Sequence, residues 1–161
     1  MHVYLVQHGE ALSEEQDSRR PLSDTGRAAV AKVANYLAVR VPHLVDSPIV
    51  ELRYSGKLRA RETAEILGRA LCPQVCPTAV DSLQPNDDPG CIRAELESRR
   101  DERTALMLVG HLPHLARLAG LLLVGDAGKS PVRVVNAAVL RLGFRGGSWA
   151  VDWFITPACV P

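Results

Sequence analysis

The stretch Val3-Tyr4-Leu5-Val6-Gln7-His8-Gly9-Glu10-Ala11 decides how this chain is read. Val3 to Val6 is a short apolar run, β-branched or aromatic at three of its four positions, and such a run reads as a buried strand over residues 2–7. It ends in Gln7 and His8 and turns at Gly9. His8, at the end of that strand, is read as a candidate nucleophile.

Outward from that strand, the pattern alternates between strands and helices. Residues 12–22 are polar and form a loop. Ser23-Asp24 reads as a helix N-cap, followed by Val30, Val33, Leu37 and Val41 at helical spacing, with Pro42 expected to end the helix. Ile49–Tyr54 is a second strand. Ser55-Gly56 turns into a helix with Ala60, Ala64, Leu67 and Leu71 on one face. Residues 81–90 form an acidic, turn-rich loop, and a charged helix is expected over 91–101. Thr104–Val109 is a third strand, ending at Gly110-His111. Pro113 opens a helix with Leu115, Leu118, Ala119 and Leu122 as its stripe. Val134–Leu142 and Trp149–Ile155 read as a hairpin around residues 143–148. This order predicts a three-layer α/β domain over residues 1–161, with a largely parallel sheet and helices on both faces.

Bulk properties narrow the function. The 161 residues suffice for one domain with a core, and 47% apolar with 23% charged residues is a globular composition. The net charge of +1 argues against nucleic acid or an anionic membrane as partner. There is no run of 18 apolar residues and no basic-then-apolar leader, so a cytoplasmic protein is expected, with a monomer as the default. Cys72, Cys76, Cys91 and Cys159 fit no common zinc spacing and read as reduced, partly buried thiols. No metal or other cofactor is called for.

In such sheets, ligands bind beyond the carboxyl ends of the strands. His8 ends the first strand, Ser55-Gly56-Lys57-Leu58-Arg59 follows the second, and Gly110-His111 ends the third. Two histidines and an arginine therefore converge on one crevice, and helix N-termini and arginine both favour phosphate. Gly125-Asp126-Ala127-Gly128-Lys129-Ser130 imitates a phosphate loop, but Leu123 stands where the motif needs glycine. His111 and His114, with Pro113 between them and no carboxylate motif nearby, make a poor metal pair.

These residues also carry a family resemblance. Leu5–Ala11 resembles the Arg-His-Gly signature of the histidine phosphatase superfamily, the phosphoglycerate-mutase-like fold. Ser55–Ala64 resembles its second motif, and Leu108-Val109-Gly110-His111-Leu112-Pro113 its third, Gly-His-x-Pro. The short length and Asp17-Ser18-Arg19-Arg20-Pro21-Leu22-Ser23 narrow the likeness to SixA-type phosphohistidine phosphatases.

The resemblance implies a metal-independent hydrolase in which His8 becomes phosphohistidine, Arg59 clamps the phosphoryl oxygens and a protonated His111 stabilises their charge. Gln7, Gly9, Arg20 and Lys57 are the implied phosphate contacts. The implied substrate is a phosphorylated protein, such as a histidine-containing phosphotransfer domain, or a small phosphorylated molecule.

Two departures follow. Gln7 stands where the family has arginine, so a full charge is missing unless Arg20 or Lys57 restores it. Many members supply an acid from the loop matching residues 81–90; the nearest aligned position here is Ser82, and Asp81, Asp87 and Asp88 remain open as alternatives. The competing reading is a weakly active or inactive phosphate- or phosphoprotein-binding module.

Overall fold

The structure, a computed structural model, describes residues 1–44 and 47–161. Six strands form one mixed sheet: β1 (His2–Gln7), β2 (Ile49–Ser55), β3 (Thr78–Val80), β4 (Ala105–Gly110), β5 (Val139–Arg145) and β6 (Ser148–Ile155). Their spatial order is β3-β2-β4-β1-β5-β6. The first four in that order run parallel, while β5 is antiparallel to both β1 and β6. Every residue of β1 and β4 is buried, as a central strand covered on both faces must be.

Alternation along the strands splits the core in two. Tyr4 and Val6 of β1, with Ala105, Met107 and Val109 of β4, pack under helices α1 (Asp24–Leu44) and α2 (Leu58–Leu71), against Val30, Val33, Leu37, Ala64 and Leu67. Val3 and Leu5, with Leu106 and Leu108, face α3 (Gly90–Ser98) and α4 (His114–Val124), against Ile92, Leu96, Leu115 and Leu118. Each fully buried Leu or Val contributes about 1.5–3 kcal/mol. The expected fold class, a largely parallel sheet with helices on both faces, is the one observed.

Several boundaries differ from expectation. α1 runs through Pro42 to Leu44. A proline this close to a helix end forfeits one backbone bond, and the buried stripe of Val30, Val33 and Leu37 holds the helix regardless. The expected place of Val41 in that stripe lies outside the described side chains. α3 ends at Ser98 rather than 101, where the Arg99 N–H closes the last turn on Glu95 and Leu96 carbonyls. β3 was not expected; it is three residues long and exists through pairing with Arg53–Ser55. β5 starts at Val139, because residues 134–138 instead cover the end of β1, with the Ala137 N–H donating to the Gln7 and His8 carbonyls. The hairpin turn is Gly146-Gly147, both at positive φ, and Gly143 lies within β5. Of the four free cysteines, only Cys72 is buried.

Two glycines bring α1 onto the turn after β1. A Cβ on Gly9 would stand 2.7 Å from Val30 Cγ2, and one on Gly26 would overlap the Glu10 carbonyl. The helix thereby presses the His8 turn into place from one side. Ser23 Oγ caps α1 as expected, accepting from the Gly26 N–H at 3.0 Å.

Candidate active site

Register brings the site together. Gln7 of β1 pairs with Gly110 of β4, so His8 and His111 are each the next residue beyond a paired strand end. Their rings meet edge to face with centroids 4.7 Å apart. Tyr54 of β2 pairs with Val109, which sets Ser55 level with Gly110. Ser55 Oγ and His111 Nε2 then share a buried hydrogen bond of 2.6 Å. Arg59 arrives from the first turn of α2, which follows directly on β2.

The tautomer of His8 is set by its partners. A carbonyl only accepts, so His8 Nδ1–H donates to Gly9 O at 2.6 Å. Nε2 carries the lone pair and accepts from Arg59 Nε–H at 3.2 Å. Burial, opposed in part by the Gly9 hydrogen bond and aided by the Arg59 and Arg20 charges, lowers the His8 pKa from 6.5 to about 4. The imidazole is neutral at neutral pH, with its Nε2 lone pair under a guanidinium.

His111 departs from expectation. Burial, then the charges of His8, Arg59, Lys57 and His114, lowers its pKa to about 3. It is neutral in the free protein rather than protonated; a dianionic phosphoryl group arriving beside it would reverse that field.

The expected phosphate contacts are only partly gathered. Gly9 forms the turn itself. Arg20 lies at the end of a loop that closes on itself, the Leu12 N–H donating to Pro21 O and Ala11 bridging Leu22. Arg20 has φ +50°, uncommon for a side-chain-bearing residue, and its Nε donates to Leu12 O at 3.2 Å. Its charge acts on both His8 and Arg59. Lys57 is exposed and acts electrostatically on His111. Among the described residues, no carboxylate pairs with Arg20, Lys57 or Arg59. Burial and Arg20 hold the Arg59 pKa below the usual guanidinium value.

Gln7 is only 5% exposed, and its Oε1 has no hydrogen-bond partner. The acidic loop does not deliver a free carboxylate to His8. Asp87 Oδ2 accepts from Gln84 N–H at 2.6 Å and Asp88 Oδ1 from Gly90 N–H at 2.9 Å, both within the loop. Asp81 is exposed in a short helical turn. The side chain that reaches toward the end of β2 is Gln84, whose Nε2 would lie 3.9 Å from a Cβ on Gly56. Leu83 O packs 3.3 Å from a Cβ placed on Gly110, seating the loop on the end of β4.

Sequence reasoning did not single out Ser55, Thr63 or Gln84. Thr63, fully buried on α2, accepts from the Gly9 N–H at 3.1 Å and donates to Arg59 O at 2.8 Å. A polar residue in the middle of the buried face Ala60-Thr63-Ala64-Leu67 was the available signal. Among the described residues, no three His, Cys, Asp or Glu side chains are grouped so as to hold a metal ion. No helix is long and apolar enough to cross a membrane.

No family model matches the chain. Known proteins and structures do. The phosphohistidine phosphatase SixA of Escherichia coli (strain K12) is 28% identical over 163 residues, spanning 98% of this chain and 94% of that protein. An uncharacterized protein of Picosynechococcus sp. (strain ATCC 27264 / PCC 7002 / PR-6) is 31% identical over 156 residues, 92% of this chain and 87% of the relative. The structure of the protein histidine phosphatase SixA complexed with tungstate superposes with a TM-score of 0.82 at 26% identity, covering 98% of each chain. With the His-Gly turn, the second-motif arginine and the Gly-His strand end converging as they do, the chain is a homologue of the SixA phosphohistidine phosphatases, with structural neighbours in the histidine phosphatase, or phosphoglycerate-mutase-like, superfamily.

Proposed function

We propose that this protein is a phosphatase that removes the phosphoryl group from phosphohistidine on a protein, through a covalent intermediate on His8. The observation that carries the reading is the locked tautomer: Nδ1–H is held by Gly9 O, which leaves the Nε2 lone pair facing the Arg59 guanidinium. Attack by Nε2 forms an N–P bond as the substrate's own P–N bond breaks, and the departing imidazole keeps the proton it carries. Water then attacks the His8 phosphoramidate, releasing phosphate and restoring the imidazole. Arg59 stabilises the charge on the transferring oxygens, and His111, braced by Ser55, stands ready to donate to them. A leaving imidazole that can bring its own proton suits a loop whose reaching side chain is Gln84 rather than an acid.

Arg20 and Lys57 supply the charge that Gln7 lacks, with Arg20 the larger contributor because its field reaches both His8 and Arg59. Substrate binding is proposed for the crevice as a whole, with Gln7 and Gly9 at its floor. The proteins named as phosphohistidine phosphatases among its relatives support this substrate class, and a small phosphate ester is the narrower alternative.

The test is a rapid-quench trap with labelled phosphohistidine protein. An acid-labile, base-stable phosphoenzyme mapping to His8, and absent in His8→Ala, is the expected result. Turnover without that species removes His8 as the nucleophile. Gln7 gives the second reading its footing, because an uncharged amide whose Oε1 has no hydrogen-bond partner stands where the family has a cation. A phosphoprotein-binding module would bind oxyanions and hydrolyse nothing.

A further inference from the structure

The phosphatase reading leaves one buried hydroxyl unexplained. Thr63 sits on α2 with none of its surface exposed, in a row otherwise filled by Ala60, Ala64 and Leu67. Its Oγ1 accepts from the Gly9 N–H at 3.1 Å while donating to the Arg59 carbonyl at 2.8 Å. Gly9 is the residue whose carbonyl, at 2.6 Å, accepts from His8 Nδ1–H. One hydroxyl therefore touches the nucleophile's turn on one side and the backbone of the clamping arginine on the other.

The peptide that carries the Gly9 N–H is held at its other end by the Ala137 N–H, which donates to the His8 carbonyl at 3.2 Å. Gly9 carries no side chain, and Val30 and the Gly26 carbonyl of α1, with Leu22 of the preceding loop, pack against it through contacts that set position rather than the direction of a hydrogen bond. We infer that Thr63 is the positioning residue for His8: its hydroxyl fixes the Gly9 N–H, and with it the Gly9 backbone torsions that aim the carbonyl of the next peptide at Nδ1–H, so that the proton is held on Nδ1 and the lone pair stays on Nε2. By bonding the Arg59 carbonyl with the same oxygen, Thr63 also ties the nucleophile's orientation to the helical turn that delivers the guanidinium.

A methyl group in place of the hydroxyl keeps the volume and removes both bonds, leaving the Gly9 N–H without an acceptor. The His8–Gly9 peptide is then held at its carbonyl end by Ala137 but no longer at its N–H end, the Gly9 torsions relax, the Nδ1 bond in the next peptide lengthens and the two neutral tautomers of His8 mix. The form protonated on Nε2 is not a nucleophile at that nitrogen.

The inference rests on the phosphatase reading for its kinetic arm but not for its spectroscopic one. Ring nitrogen chemical shifts of His8 at neutral pH report the tautomer in the protein without substrate. The wild type is expected to show a protonated Nδ1 and an unprotonated Nε2. Thr63→Val should give averaged nitrogen shifts and a kcat about 10- to 100-fold lower, with KM changed far less. Thr63→Ser, which keeps the hydroxyl and drops the methyl, should restore both.

Wild-type shifts in Thr63→Val would overturn the inference, as would an equal loss in Thr63→Ser, because side-chain packing would then explain the effect. If Thr63→Val does not fold, Thr63→Ala removes the same hydroxyl with less bulk and is read the same way. A tautomer that responds to Thr63 in a protein that forms no phosphoenzyme on His8 sinks the phosphatase reading and keeps the positioning role.

Discussion

Two groups of arginines on this molecule behave in opposite ways. On the surface beside β2 and α3, Arg53 and Arg99 are threaded through Glu51, Glu95 and Glu102. Hydrogen bonds to Glu95, opposed by burial, raise the Arg53 pKa above its ordinary value, and bonds to Glu102 and Glu51 raise that of Arg99. At the carboxyl ends of β1 and β2, no carboxylate pairs with Arg59 or Arg20 among the described residues, and the charge of Arg20 presses on Arg59. The first group is complete within the chain and contributes to the fold. The second lacks a partner of opposite charge within the described residues, and that shortfall of negative charge, more than any single residue, is what supports the proposed phosphoryl substrate.

The contrast can be broken at several points. Arg59→Ala should cost the most, about 100- to 1,000-fold in kcat, as expected for removal of a preorganised donor. A loss below tenfold in single-turnover phosphoryl transfer would mean the guanidinium is not on the reacting group. Arg20→Ala should cost about tenfold or more, and Lys57→Ala less, since Lys57 is exposed and screened. If neither changes phosphate release, the missing charge at Gln7 has no substitute in this chain. Gln7→Arg should then raise kcat/KM, by about tenfold, because it adds a cation to the same oxygens; no gain would show that Arg20 already fills that place.

Acid should expose the site as a liability of the fold. His8 and His111 titrate at about 4 and about 3 when folded, against 6.5 for an ordinary histidine. The unfolded chain binds more protons in that interval, so the contribution to stability is whole above pH 6.5 and is lost as pH falls toward 4. Buried His114, whose pKa is also lowered, adds to the trend. Urea midpoints at pH 7.0, 5.5 and 4.5 should fall in that order, and the fall should be smaller in the His8→Gln/His111→Gln double variant. A pH-independent midpoint would contradict the neutral pair. The smallest effect belongs to the surface group: Arg99→Ala should lower stability by about 1 kcal/mol or less and leave kcat untouched.

Much of this was readable in the residues. The β1 run, the N-cap at Ser23 and the stripes of α2 and α4 needed only periodicity, and the three strand ends followed from the order of elements. What escaped was whatever depends on a distant partner. β3 is too short to show a pattern and forms because β2 offers an edge. Residues 134–138 are apolar enough to read as strand, yet their backbone is spent on closing the end of β1, with Ala137 at φ +59°. The charge state of His111 depends on its burial and on two other histidines, His8 and His114, and two cations, Arg59 and Lys57, brought beside it by the fold. Thr63 was visible as a polar interruption in a buried stripe, but its role required knowing that Gly9 lay beside it.

The pairing of Gln7 with Gly110 has a consequence in time as well as in space. β4 and His111 are made only after β1, α1, β2 and α2. Synthesis runs toward the C-terminus, so a growing chain carries His8, the proposed nucleophile, long before it has the strand beside it. Until β4 docks, the His8 backbone N–H lacks the Gly110 carbonyl it bonds at 3.3 Å, and the imidazole lacks its neighbour. On the proposed reading, a fragment that stops short of β4 should form no phosphoenzyme on His8, so turnover would report that the centre of the sheet has closed.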